Sequence, residues 1–135
     1  MKTLIINVFL AAAALSGRGA KQPDEALLRD VRASIRKGLD WLAANQRPDG
    51  SWSEPGMPAM TALPLWAIAA SGESGYDAAA DKAVAFILGK QQPDGGIYVP
   101  MPGRKGGGLG NYNTSICIAA LYATGRPDTI PTVLK

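Results

Sequence analysis

Lys37-Gly38-Leu39-Asp40-Trp41-Leu42-Ala43-Ala44-Asn45-Gln46-Arg47-Pro48-Asp49-Gly50-Ser51-Trp52 is the stretch that decides the fold, because the chain writes it twice. Forty-five residues on stands Lys82-Ala83-Val84-Ala85-Phe86-Ile87-Leu88-Gly89-Lys90-Gln91-Gln92-Pro93-Asp94-Gly95-Gly96-Ile97. Lysine matches lysine, Trp41 matches Phe86, Gln46 matches Gln91, and Pro-Asp-Gly matches Pro-Asp-Gly. A second match runs at a shift of 53, from Thr61–Gly72 to Thr114–Gly125. The eight-residue difference falls around Met101 to Leu109, so the second copy carries a longer, glycine-rich loop. Self-similarity at a fixed period is the signature of stacked supersecondary units.

Each copy reads as helix, Pro-Asp-Gly turn, loop, helix. Leu27, Leu28, Val31, Ile35, Leu39 and Leu42 recur at three and four, the stripe of an amphipathic helix. That helix stops before Arg47-Pro48, since proline disfavours helix at the residue before it. The pattern predicts four helices, over 24–45, 58–71, 78–90 and 113–124, and no sheet. Gly72 reads as a C-terminal cap, Asp77 as the N-cap of the third helix, and Asn113 or Asn111 as that of the fourth. Pro64 inside the second helix predicts a kink or a delayed start. The fourth is apolar nearly all round and reads as an inner helix; the first and third carry more charge and read as outer ones. Trp41, Leu63, Phe86, Ile116 and Leu121 hold matched positions and are expected in one core. Leu63, Ile68, Ile118 and Tyr122 are expected on an open face. Residues 128–135 read as the opening turn of a third copy.

The chain has 135 residues, 47% hydrophobic and 19% charged, an ordinary globular composition and a prior of one domain. Lys+Arg 14 against Asp+Glu 11 gives +3, and Lys2 and Arg18 lie in a first twenty residues that hold no acid. That balance carries no nucleic-acid footprint. Residues 1–20 follow the order of a secretory signal: Lys2, the apolar run Leu4 to Leu15, then small residues that suit cleavage after Ser16. The expectation is export to the periplasm or beyond, a domain over 21–135, and no membrane span once the signal is removed. One cysteine excludes an internal disulfide, and the lack of histidine excludes His triads and the usual zinc sites.

Lys37, Gly38, Trp41, Leu42, Gln46, Gly50 and Trp52 stand at the spacing of the QW motif, and Phe86, Gln91 and Gly95 repeat it more loosely. Over Leu27 to Gly125 the chain resembles the prenyltransferase and squalene-cyclase repeat family. The resemblance implies an all-α fold of αα-hairpins in two concentric layers, the αα-toroid, with about two repeats and therefore an incomplete barrel. It also implies that Gln46 bonds free backbone groups at a neighbouring helix end, with Trp52 stacked beside it. An amide has the donors and acceptor for such a brace; a ligand contact is the alternative for Gln46, Trp52 and Gln91.

The chemistry of that family is not visible in the chain. No DxDD-type acid cluster stands among its carboxylates, no histidine completes a zinc site, and Cys117 lies in no thioester motif. Asp49-Gly50 and Asp94-Gly95 read as turns with local side-chain bonds. Gly103 to Gly110 lacks the Lys-Ser/Thr pair of a phosphate loop and reads as a flexible surface loop. Tyr98, Asn111, Tyr112 and Asn113 flank it, either as the rim of a ligand cavity or as a helix cap and turn packing. No catalytic residue, metal or cofactor is assigned. Two functions follow: an exported scaffold or binding fragment whose partners are further repeats or itself, or the N-terminal part of a terpenoid cyclase or prenyltransferase-like enzyme with its active site beyond residue 135.

Overall fold

A computed structural model describes residues 24–54 and 56–133. The signal segment and cleavage site expected over 1–20 lie outside the described residues. The regular elements of the described residues are all helical, without a strand ladder; two isolated bridges occur among them, Gln91 with Ile97 and Met101 with Arg104. The helices are α1 (Glu25–Ala44), α2 (Ala59–Ser71), α3 (Asp77–Leu88), α4 (Gly110–Ala123) and α5 (Ile130–Val133). Short 3-10 turns cover Lys105–Gly108 and Pro127–Thr129. Among the described residues, no helix is long and apolar enough to cross a membrane.

The chain divides into two compact units at Ile35 and Arg36. In the first, Leu27, Leu28, Val31 and Ile35 keep helical spacing but are exposed. The second unit holds the core. Ala62 and Leu65 of α2, Ala83, Val84, Phe86 and Ile87 of α3, Ile97, and Cys117, Ala120 and Leu121 of α4 form one buried cluster. Leu39, Ile68 and Ala79 form a smaller one, and Trp52 packs against both.

Four sequence expectations are corrected here. Trp41 is 62% exposed and leaves the expected core; Leu63, at 40%, and Tyr122 lie on the open face, while Phe86 and Leu121 are buried and Ile116 is half-buried. α3 lies among α2, α4 and the Ile97 turn, whereas the second half of α1 contributes only Leu39 and Leu42 to a cluster. The aromatic position is matched, but its surroundings are not. Ile68 is buried, not open. α4 starts at Gly110, so Asn113 lies inside it and does not cap it. Asp77 is the first residue of α3, and no side chain caps that helix. Gly72 does end α2 in the left-handed conformation. Pro64 sits within α2, which runs unbroken from Ala59 to Ser71.

The two Pro-Asp-Gly turns share their bonds. Gly50 N–H donates to Arg47 O and Arg47 N–H to Ser51 O, both at 2.9 Å. Forty-five residues on, Gly95 N–H donates to Gln92 O (2.9 Å) and Gln92 N–H to Gly96 O (2.7 Å). Gly50 and Gly95 take φ of 88° and 87°, a region open to glycine. Each turn ends alike, with Trp52 N–H on Thr61 Oγ1 (3.4 Å) and Ile97 N–H on Thr114 Oγ1 (3.0 Å).

Candidate functional site

The carboxylates of the Pro-Asp-Gly turns make the local side-chain bonds expected of turn residues. Asp49 Oδ1 accepts from Ser51 Oγ (2.7 Å) and from Ser51 N–H (3.0 Å). Asp94 accepts from Tyr98 OH (2.6 Å) and from Gly96 N–H (2.9 Å). The hydroxyl bonds from Ser51 and Tyr98 are the main causes that hold the two carboxyls below their ordinary value. A general acid needs the opposite shift. The same bond raises the Tyr98 pKa, so that phenol keeps its proton. Among the described residues, no group of three or more Cys, Asp or Glu is placed to hold a metal ion.

Gln46 Nε2 donates to Ala79 O in the first turn of α3 (2.8 Å) and to Gly50 O (3.0 Å). The Trp52 indole N–H donates to Leu42 O (2.7 Å), one of the last four carbonyls of α1, which have no partner within the helix. Lys37, Gly38 and Trp41 are exposed on α1, and Leu42 is half-buried. Gln91 is placed differently from Gln46. Its Oε1 accepts from Thr132 Oγ1 (3.4 Å), while its buried Nε2 has no partner among the described residues. Its neighbour Gln92, which sequence reasoning passed over, does the bracing: its Nε2 donates to Lys90 O and Tyr98 O, both at 2.9 Å.

The expected rim is split. Asn111 and Tyr112 are exposed and Tyr98 is half-buried on its own turn. Asn113 is 3% exposed and leaves the rim: its Oδ1 accepts from Ala59 N–H, at the start of α2. No short-range pattern announces a partner 54 residues away.

A different feature unites the two central helices. Neither α2, of 13 residues, nor α4, of 14, contains a charged residue. Both nevertheless present a face to solvent. On α2, Met60, Leu63, Trp66, Ala67 and Ala70 are exposed and lie within about 120° of the helix circumference. On α4, Asn111, Tyr112, Ser115 and Tyr122 occupy a similar arc, Tyr122 at 76% exposure. Solvent-facing helix surface is ordinarily charged or polar, so the apolar face of α2 stands out, while the α4 face is polar but uncharged. The signal was legible, because charge is absent over two whole helical windows, but Met60 and Trp66 were not singled out.

In an alignment 131 residues long that covers 90% of the chain, the sequence is 30% identical to a drimenyl diphosphate synthase of Streptomyces showdoensis. The chain spans about a quarter of that protein's length, 24%. No family model matches the chain. No solved structure matches it either.

Proposed function

We propose that the chain is a tandem αα-hairpin module of a terpenoid-cyclase-like toroid, with α2 and α4 as inner helices that offer an uncharged wall to an isoprenoid diphosphate. The observation that carries this reading is the pair of solvent-facing helix faces without charge, in a segment 30% identical to a drimenyl diphosphate synthase. The repeat assignment is supported by the turn bonds recurring 45 residues apart and by α5 starting 53 residues after α3. In this reading Gln46 and Trp52 are QW-type braces. The module supplies a wall and not the acid, since Asp49 and Asp94 are held low by their turns. The likeness to a synthase favours this assignment over a free-standing exported scaffold.

The test is titration of the purified chain with drimenyl diphosphate, followed by tryptophan fluorescence, since Trp66 lies on the α2 face. Saturable quenching is expected. Leu63→Glu places a carboxylate on that face, and it should weaken binding about tenfold or more, the equivalent of 1.4 kcal/mol. Its melting temperature should stay in place because Leu63 is exposed. Quenching that rises linearly without saturation, or saturable binding indifferent to Leu63→Glu, overturns the reading.

A further inference from the structure

Two ion pairs stand at matched places with their signs exchanged. Arg36 on α1 pairs with Glu73 in the α2–α3 connection at 2.9 Å. Forty-five residues after Arg36, Asp81 on α3 pairs with Arg126, which lies 53 residues after Glu73 in the α4–α5 connection. The helix supplies the cation in the first pair and the anion in the second. Arg126 Nε also reaches Asp128, at 3.3 Å.

The sign exchange matters because α1 and α3 otherwise carry similar residues at positions 45 apart: Lys37 and Lys82, Leu39 and Val84, Leu42 and Ile87. Chains built from similar units are prone to exchange them between copies. With α1 of one copy seated at the α4 end of another, Arg36 meets Arg126. The displaced α3, seated at an α2 end, brings Asp81 to Glu73. Both contacts are like-charged. We propose that the opposed polarity of the Arg36–Glu73 and Asp81–Arg126 pairs is a docking code that keeps a second copy of this chain from placing its α1 where α3 belongs. The pairs are partly exposed, so each adds little to stability. Their value lies in penalising the wrong partner.

The experiment is refolding of the full chain from denaturant, with the dimer-to-monomer ratio read by size-exclusion chromatography and light scattering. Arg36→Asp with Glu73→Arg keeps a pair in the first hairpin copy but gives it the polarity of the second copy. Its dimer-to-monomer ratio should rise about fivefold, as expected from removing two surface like-charge contacts. The reciprocal double variant, Asp81→Arg with Arg126→Glu, makes the same prediction and covers the case in which the first does not fold. Combining all four substitutions restores opposed polarity and should return the wild-type ratio. In about 1 M salt, where the Debye length is ~3 Å, the difference should vanish. A ratio unchanged in the double variants, or raised equally in the fourfold variant, or raised to the same extent at high salt, overturns the code.

Discussion

Asn113 on α4 accepts a hydrogen bond from the backbone N–H of Ala59 at the first residue of α2, 3.2 Å away and 54 positions earlier in the chain. One helix thus supplies the N-terminal cap of another. The Ala59 donor is among the four that a helix start leaves open, and both residues are buried. Asn113→Ala strands that N–H away from water and should cost about 1–3 kcal/mol of unfolding free energy. Asn111→Ala, on the exposed arc of the same helix, should stay within about 0.5 kcal/mol. Urea denaturation of the two variants checks the difference.

Gly50 and Gly72 both have positive φ but different surroundings. A Cβ on Gly50 would overlap the Lys82 carbonyl oxygen in the backbone of α3; around Gly72 nothing lies within 4 Å. Gly72→Ala should therefore cost only the left-handed strain, about 1–2 kcal/mol. Gly50→Ala adds overpacking against backbone and should cost about 2–5 kcal/mol. Equal losses in thermal melts would contradict the close approach of the first turn to α3.

The Asp94 carboxyl titrates below the ordinary carboxylate value of ~4, chiefly because Tyr98 donates to it. A depressed folded-state pKa stabilises the fold above the unfolded value, and that contribution fades as pH falls through the folded one. Tyr98→Phe should raise the Asp94 midpoint in an NMR titration. Ser51→Ala should do the same for Asp49, whose main partner is the Ser51 hydroxyl. The stability gap between wild type and Tyr98→Phe should be widest at pH above ~5 and narrow below ~4. A gap that widens on acidification would invert the assignment.

Cys117 is fully buried, and burial pushes its thiol up to about 12. The thiolate is the reactive form, so thiol reagents at neutral pH should label native protein no faster than it unfolds. Labelling in a low-denaturant series should track the unfolding equilibrium. Rapid labelling of the native chain would place Cys117 elsewhere than in the α2–α3–α4 core.

The helices were legible because their signals are local. The expected 58–71 helix is Ala59–Ser71, and the proline that stops α1 and the glycine that ends α2 act within a turn of their own positions. The Pro-Asp-Gly turns were legible for the same reason. Burial was less so. Trp41 and Phe86 share a pattern but not neighbours, and neighbours decide which side of a helix meets water. Asn113 and the ion pairs were illegible because each joins residues that only the assembled helices bring together. Arg126 answers Asp81 through two different shifts at once, and no single alignment of the chain on itself reveals that.

The backbone-to-threonine bond that closes each turn carries a consequence for how such a chain can change over generations. In one turn it spans nine residues, from Trp52 to Thr61; in the other it spans 17, from Ile97 to Thr114. Doubling a flexible loop costs only about 0.6 kcal/mol. The anchor points stay fixed while the intervening segment is free to grow. New side chains can be tried there, beside an uncharged helix face, without renegotiating the packing beneath. The extra length between Met101 and Leu109 is thus room for innovation, held at the neck by Thr114.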